Sequence, residues 1–214
     1  MLSKIDYKCI HRHNGYEHPC CYMKYQQFGK PGGIGFLDIE TSGLQGNYNI
    51  IYCWTIKYLD EPRYESYTLQ KTDYQNHNRD KELIRRFLYA IDKFSKLYVY
   101  WGSDRKFDLP FLRTRAHYWG FQFPPAKTIQ MVDIYYPVKA KFRLHSNRLD
   151  VIAELLHCTT KKTPLSPEIW NRAQCGYDKE ALAYIHDHNV KDCDILEEVY
   201  LKIKDEVQEP KRWL

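Results

Sequence analysis

The sequence lacks any apolar stretch long enough to cross a membrane. No run approaches the roughly 18–20 apolar residues that a spanning helix needs, and the first residues, MLSKIDYKCIHRH, contain no apolar segment typical of a secretory signal. Internal repeats and low-complexity tracts are also absent. We therefore expect a soluble, cytoplasmic protein with no membrane association. Its 214 residues, 43% of them hydrophobic, can bury a sizeable core.

Neither charge nor cysteine content is extreme enough to define a function class. The 32 Lys and Arg exceed the 27 Asp and Glu by five, which permits a polyanionic partner without requiring one. The 19 Tyr and 5 Trp offer faces on which bases can stack, although such residues more commonly fill a core. An odd count of seven Cys argues against a disulfide framework.

The order of predicted elements indicates an α/β protein with a mixed sheet. Apolar, β-branched and aromatic runs predict strands at residues 34–40, 49–58, 64–69, 97–101 and 129–136. Helical periodicity predicts helices at residues 80–94, 109–118, 149–156 and 179–205. A Pro-Gly-Gly break at 31–33 separates a Cys/His-rich N-terminal extension, residues 1–30, from a domain covering residues 31–214.

Two carboxylates lie at the end of the first predicted strand. Alternate side chains of a strand share a face, so Asp38 and Glu40 continue the face of Ile34 and Phe36. They are expected to project together from the end of a central strand. For an isolated pair of this kind, a strand that simply emerges into solvent is the commoner explanation.

Two further acidic residues, Asp192 and Asp108, are candidates to join Asp38 and Glu40 in one site. Asp192 takes an apolar seam position of the long C-terminal helix, one turn after His188. A carboxylate there costs several kcal/mol unless it pairs with Arg or Lys or binds a cation. Asp108 begins a helix directly after a buried strand, a position that Asp also favours for purely structural reasons.

Four carboxylates gathered at one point would suit a pair of divalent cations. Hard oxygen ligands favour Mg²⁺ or Mn²⁺, and two such ions roughly 3.5–4 Å apart can clamp the attacking and leaving oxygens of a phosphodiester. The chemistry also needs a group that deprotonates or orients water. His188 is the best candidate, because the pKa of an imidazole lies near neutrality.

Three segments resemble the motifs of DEDD-type 3′–5′ exonucleases of the ribonuclease H-like superfamily. Residues 36–44 (FLDIETSGL), 106–112 (KFDLPFL) and 184–192 (YIHDHNVKD) match them in order, and the most similar group resembles the exonuclease domain of family B polymerases. The resemblance covers residues 34 to about 203. It implies a ribonuclease H-like mixed five-stranded sheet flanked by helices. It also implies metal-dependent removal of nucleotides from the 3′ end of single-stranded DNA or RNA.

The resemblance also assigns roles to residues. Asp38, Glu40, Asp108 and Asp192 would hold two Mg²⁺ or Mn²⁺, with Asp38 bridging them and Glu40 also binding or orienting the water. His188 replaces the family's Tyr or His, but it combines a His with the four-residue spacing of the Tyr branch. Whether it deprotonates water or only positions it stays open. His186, six residues before Asp192, is a competitor on a different helix face.

The resemblance further implies a substrate-binding loop after the first strand. Thr41, Ser42, Gly43 and Leu44 would grip the terminal nucleotide, with Leu44 wedged against the last base; a plain loop with a buried Leu is the alternative. Arg105 and Lys106 flank Asp108 and could contact phosphates, or they could form a solvated turn.

Cysteine and histidine crowd into residues 9–21, a density that suits a structural Zn²⁺. The predicted ligand set is Cys9, His13, His18 and Cys20, with His11 and Cys21 as alternative members. The spacing matches no standard zinc finger, and a polar extension without metal is the competing interpretation.

Two other functions remain open at this stage. The same ions could cut internally, as in a structure-specific endonuclease of the same superfamily. A nucleic-acid-binding module without catalysis is the third hypothesis, although such a module would have no need of four intact acidic positions.

Overall fold

The computed structural model describes residues 7–9, 11–28, 32–75, 78–103, 106–124 and 128–207. Its centre is a five-stranded sheet in the spatial order β3-β2-β1-β4-β5. The strands are β1 (Gly33–Thr41), β2 (Ile51–Tyr58), β3 (Tyr64–Thr68), β4 (Phe94–Val99) and β5 (Gln130–Asp133). Strands β1, β2 and β3 form an antiparallel meander, whereas β4 and β5 run parallel to β1. The predicted mixed five-stranded sheet is therefore confirmed.

Helices flank this sheet. They are α1 (Pro19–Phe28), α2 (Lys71–Gln75), α3 (Lys81–Ile91), α4 (Asp108–Tyr118), α5 (Tyr135–Lys141), α6 (Leu149–Leu155), α7 (Pro167–Cys175) and α8 (Lys179–Ile203). In the described part of the chain, none of them combines the length and apolar character needed to span a membrane.

Strand β1 separates two apolar layers because its side chains alternate between faces. Leu37 and Ile39 join the core that includes side chains of α3 and α4. Phe36 points to the opposite layer, where its ring packs against Tyr98 and Tyr200 with centroids 5.2 and 5.7 Å away. Asp38 and Glu40 follow Phe36 on the face that α8 covers, so the alternation determines where the carboxylates point.

Helix α8 is the long helix expected at the C-terminal end of the motif series. The Asp178 carboxylate caps its N-terminus by accepting from the Ala181 amide, 2.9 Å away. The buried stripe of α8 contains the apolar Ile185 and Ile195 but also His188, Asn189 and Asp192. Polar residues thus occupy the middle of an otherwise apolar seam that packs on β1 and β2.

Several predicted boundaries differ from the structure. The helix predicted to reach Phe94 ends at Ile91, and Phe94 instead begins β4. The strand predicted to reach Tyr136 ends at Asp133, because the Asp133 carboxylate accepts from the Tyr135 amide and the chain turns into α5. The short helices α2, α5 and α7 were not predicted, because each buries a single residue and shows no apolar stripe, whereas the equally short α6 was predicted from its apolar spacing.

The described part of the N-terminal extension, residues 7–9 and 11–28, contains a helix that its composition did not indicate. Tyr7, Cys21, Tyr22 and Tyr25 form a small apolar cluster of their own, separate from the two cores of the sheet. The Lys24 ammonium is buried and donates to the carbonyl of Phe94, 2.6 Å away. The extension therefore docks where β4 begins.

Candidate active site

Strand β1 ends in the two carboxylates that the sequence singled out. Asp38 accepts a hydrogen bond from the side-chain amide of Asn189, 2.7 Å away on α8. Glu40 Oε1 lies 3.7 Å from Nε2 of His188, and the Glu40 side chain is only 15% exposed. Both acids therefore face α8, as the alternation of β1 predicts.

Helix α8 supplies the next two groups from one face. His188 and Asp192 are one turn apart, and His188 Nε2 lies 3.7 Å from Asp192 Oδ2. Glu40, His188 and Asp192 each offer one potential ligand atom, and these atoms all lie within 4.8 Å of one another. Residues separated by 148 positions in the sequence thus meet in one small volume.

Asp108 reaches the site from the first turn of α4. Its carboxylate lies against the backbone of Gly102, where an added Cβ would be 2.1 Å from Asp108 Oδ2. Only glycine leaves room for this carboxylate. The Leu109 amide donates to the Gly102 carbonyl, 3.0 Å away, which fixes the start of the helix on this loop.

A further acid, Asp133, shapes the loop that precedes Asp108. Its carboxylate accepts from the backbone amides of Trp101, Ser103 and Tyr135, at 2.8, 3.2 and 3.1 Å. Trp101 adopts a positive φ of 58°, a sparsely populated conformation for a side chain of this size. Asp133 therefore acts as a support for the loop, since its oxygens are already engaged by the backbone.

Burial and mutual repulsion raise the pKa values of the clustered acids. Loss of hydration, followed by the nearby Asp192, raises the pKa of Asp38 to about 8. Burial also raises the pKa of Glu40 well above its ordinary value, with Asp38 and Asp192 adding to the effect. The pKa of Asp108 is raised well above its ordinary value by burial and by Asp38 and Asp133. The site therefore disfavours the simultaneous ionisation of its carboxyl groups unless positive charge is added.

One lysine partly offsets this charge. Lys162 Nζ lies 2.5 Å from Asp192 Oδ2, so the Lys partner considered for Asp192 from the sequence does exist. It engages one carboxylate oxygen: Asp192 Oδ1 is buried and has no hydrogen-bond partner among the residues that the structure describes. Within the described part of the chain, the Lys162 ammonium is the cation that acts on Asp38 and Glu40, and one positive charge does not balance four carboxylates.

The environment of His188 favours its neutral form. Burial lowers the pKa of His188, and the positive charge of Lys162 lowers it further, while Asp192 acts in the opposite direction. The Thr163 hydroxyl lies 3.0 Å from Nδ1, on the side of the ring away from the carboxylates. When Nδ1 carries the proton and donates it to Thr163, the lone pair of Nε2 faces Glu40 and Asp192.

An open cavity of about 490 Å³ adjoins these groups. The residues that line this cavity include the charged Asp38, Asp192 and Lys162 and the aromatic Trp101 and Tyr135. Trp101 is 46% exposed, which is high for so large an apolar side chain. A flexible polyanion with flat bases is a ligand that such a cavity can accommodate.

The predicted substrate loop follows β1 directly. The Thr41 hydroxyl donates to the Gly43 carbonyl at 2.8 Å, and the Ser42 hydroxyl accepts from the Ile50 amide at 3.0 Å. Leu44 is 81% exposed. The buried Leu of the alternative interpretation is therefore wrong, because this apolar side chain is exposed four residues after Glu40.

Of the two basic residues predicted to contact phosphates, Lys106 lies in the described part of the chain and Arg105 does not. Lys106 Nζ lies 5.5–5.7 Å from the ring centroids of Trp101, Tyr135 and Tyr136, so its ammonium sits among aromatic faces. Arg105 lies outside the described residues.

The Cys/His cluster differs from the predicted ligand set. The structure brings together Cys9, His11, His18 and Cys21, which include the alternative members His11 and Cys21, whereas His13 and Cys20 lie outside this group. Cys21 faces inward from the first turn of α1, whereas its neighbour Cys20 is only partly buried.

Lys162, Thr163 and Asn189 were missed as site residues. Lys162 and Thr163 belong to an irregular Pro-containing segment, where no periodicity shows which way a side chain points. Asn189 did carry a signal, because it shares with His188 the polar interruption of the apolar seam of α8. Asp133 could also have been found, since the ends of parallel strands meet at one edge of a sheet.

A mixed sheet of this order, with carboxylates at the end of its central strand, defines a ribonuclease H-like protein. The family model described as the RNase_H superfamily matches residues 35–204, and the chain belongs to this superfamily. The superfamily assignment made from the three motifs is thus confirmed. Membership supports nuclease activity in general, acting on nucleic acid and generally dependent on divalent metal ions.

A solved structure gives a second comparison. The chain is similar to the family B DNA polymerase from the hyperthermophilic archaeon Pyrobaculum calidifontis, with a TM-score of 0.62 and 18% sequence identity. The match covers 82% of this chain and 25% of the polymerase, so the likeness concerns the fold. No curated protein matches the sequence at a significant level.

Proposed function

We propose that the chain is a metal-dependent 3′–5′ exonuclease that hydrolyses phosphodiester bonds of single-stranded nucleic acid. The observation that supports this proposal is the mutual electrostatic influence of Asp38, Glu40, Asp108 and Asp192, which come from one strand and two helices. The likeness in fold to a family B DNA polymerase agrees with the three sequence motifs.

The side chains present suit divalent cations. The donors are carboxylate oxygens, which favour Mg²⁺ or Mn²⁺ over softer metals. The buried, unpartnered Asp192 Oδ1 and the raised pKa values of Asp38, Glu40 and Asp108 mark a site that gains stability from added positive charge. Asp38, Glu40, Asp108 and Asp192 would hold two such ions.

Bound metal ions and the chain's own residues would have separate roles in hydrolysis. Bound divalent ions would supply electrostatic stabilisation of the attacking and leaving oxygens of the phosphodiester. Glu40 orients the water, and His188 accepts its proton at Nε2, with the ring held by Thr163. Asn189 fixes one oxygen of Asp38, so that the strand carboxylate keeps a single orientation.

The loop after β1 favours an exonuclease over an endonuclease. Leu44 is exposed in the loop that follows Glu40 on β1, and it would stack against the last base of a strand. Thr41, Ser42 and Gly43 shape the loop through hydrogen bonds and would grip the terminal nucleotide. Lys106 among the rings of Trp101 and Tyr135 would meet the phosphates of the nucleotides that follow.

The test is digestion of 5′-labelled oligonucleotides with Mg²⁺, Mn²⁺ or EDTA. We expect a ladder shortened from the 3′ end, full protection of circular single strands, and no products in EDTA. Asp108→Asn is the control for contaminating nucleases, because it removes one charged oxygen without changing the side-chain size. Nicked circles would instead identify an endonuclease, and binding without products would identify a non-catalytic module. Matched DNA and RNA strands in the same assay define the substrate sugar.

A further inference from the structure

A second cluster of potential metal ligands lies in the N-terminal extension, away from the acidic site. Cys9 Sγ lies 3.4 Å from His11 Nδ1 and 3.5 Å from His18 Nδ1. The two imidazole nitrogens are 3.2 Å apart, and Cys21 Sγ is 3.9 Å from His11 Nδ1. All four ligand atoms lie within 4.8 Å of one another.

These separations match the edges of a zinc tetrahedron. With Zn–N bonds of about 2.0–2.1 Å and Zn–S bonds of about 2.3 Å, tetrahedral ligands lie about 3.3–3.8 Å from one another. The four distances of 3.2, 3.4, 3.5 and 3.9 Å between these ligand atoms bracket this range. Two thiolates and two imidazoles also complete the four-ligand shell of a closed, structural site.

The backbone around the cluster is arranged to deliver these ligands. The Arg12 amide donates to the Cys9 carbonyl at 2.8 Å, and the Cys9 amide donates to the His13 carbonyl at 3.0 Å. This tight turn, with Arg12 at a φ of 64°, brings Cys9 and His11 to one side. His18 and Cys21 come from the start of α1, one turn apart.

The extension has too small a core to fold by itself. Its described residues, 7–9 and 11–28, share one apolar cluster of Tyr7, Tyr22, Tyr25 and the cysteines. Chains of this length normally need a metal or disulfides for stability. Cys9 and Cys21 are both free thiols, separated by the two imidazoles rather than joined.

The position of the cluster argues against a catalytic role. Lys24 of α1 donates to the Phe94 carbonyl, and Phe94 pairs with Gly33 at the beginning of β1. Asp38 lies five residues further along β1, or about 16 Å at the usual rise per residue. The two clusters therefore occupy opposite ends of the same strand.

We propose that Cys9, His11, His18 and Cys21 bind one Zn²⁺, which folds residues 7–28 and fixes this unit against the start of β4. The unit corresponds to the extension of residues 1–30 expected from the sequence. The proposal does not depend on the exonuclease activity, since it concerns a separate set of ligands with a structural role.

The chain offers matched control residues beside each ligand. We expect full-length, tag-free protein purified with added zinc to contain one Zn²⁺ per chain by elemental analysis. His11→Gln and Cys21→Ser should lose this zinc. His13→Gln and Cys20→Ser should keep it, because these neighbours lie outside the ligand set. Zinc lost equally from the control variants, or absent from wild-type protein, would overturn the assignment.

Spectroscopy keeps the test decisive if the ligand variants fail to fold. Co²⁺ exchanged into wild-type protein should give visible bands of a tetrahedral site together with thiolate charge transfer. His11→Cys replaces one ligand by another, so it should keep the metal and strengthen the charge-transfer band. A spectrum of octahedral Co²⁺, or a Cys9–Cys21 disulfide in the native protein, would disprove the site. Chelation should accelerate amide exchange in residues 7–28 far more than in β1.

Discussion

His188 makes contacts on both sides of its ring, and these contacts determine what it can do. Thr163 lies beside Nδ1, while Nε2 faces Glu40 and Asp192 at 3.7 Å each. Burial lowers the pKa of the imidazole, so the ring is neutral near pH 7. A neutral ring held this way can accept a proton from water at Nε2.

Replacing His188 tests its role as a base. We expect His188→Ala to reduce the rate by about 10²–10⁴-fold, the range typical of an acid–base group. In wild-type protein, activity should fall as the pH drops through the lowered pKa of His188, and this acidic limb should disappear in the variant. Pre-steady-state rates across pH, with metal saturating, measure both effects. Wild-type rates in His188→Ala would exclude His188 from the mechanism, and a rate recovered by His188→Gln would reduce it to a positioning role.

The acidic residues could be anticipated from the sequence because regular elements fix their directions. Asp38 and Glu40 follow from the period of a strand, and Asp192 from the period of a helix. Asp108 needed the motif resemblance, since an Asp at a helix start is ordinary. Lys162 could not be anticipated, because it lies on an irregular segment and meets Asp192 only after the chain folds back over 30 residues.

The loop of residues 42–50 is a fixed structure, although it lies at the surface. Arg115 of α4 donates to the Gly46 carbonyl at 3.1 Å, and its guanidinium is held by Asp80 at 2.6 and 2.8 Å. The Asn49 side chain donates to the Gln45 carbonyl at 3.1 Å. These contacts place the exposed Leu44 in a defined position beside the end of β1.

Shortening Leu44 tests the contribution of this loop to substrate binding. We expect Leu44→Ser to raise KM about 5- to 30-fold, equivalent to about 1–2 kcal/mol of apolar contact with the terminal base. The turnover number should change less. Leu155→Ser is the matched control, since Leu155 is also exposed but lies on α6. Equal effects of the two substitutions on KM would contradict a specific role for Leu44.

Elements with a periodic apolar pattern were predictable, and short helices without one were not, for a physical reason. Helix α8 shows seven turns of periodic burial, whereas α5 has seven residues with only Val138 fully buried. The end of β5 depends on Asp133 accepting backbone amides from a distant loop, which is a tertiary contact. Such contacts leave no local pattern in the sequence.

The whole molecule is affected by the crowded carboxylates at the end of β1. The folded chain keeps protons on acids whose pKa values are raised, whereas the unfolded chain releases them at ordinary values. The folded state therefore binds more protons than the unfolded state over this range. Stability must fall as the pH rises through the folded-state pKa values.

Thermal unfolding in metal-free buffer tests this linkage. Between about pH 5 and about pH 8, the Tm of wild-type protein should fall more steeply than that of Asp38→Asn, because the pKa of Asp38 is raised to about 8, and the two slopes should converge at higher pH. Each kcal/mol of relieved repulsion corresponds to about 2–4 °C for a chain of this size. Mg²⁺ or Mn²⁺ should remove most of the difference. A Tm difference that does not grow with pH would contradict the raised pKa of Asp38.

The docking of α1 at the beginning of β4, away from the end of β1, has a consequence for how the chain tolerates change. Energetic effects of substitutions normally add when the sites are more than about 7–10 Å apart and share no partners. In a double-mutant cycle, one substitution near Lys24 and one near Asp38 should therefore have additive effects on the free energy of unfolding. Substitutions can therefore accumulate in the N-terminal unit without changing the energetics of the acidic site, and the reverse also holds.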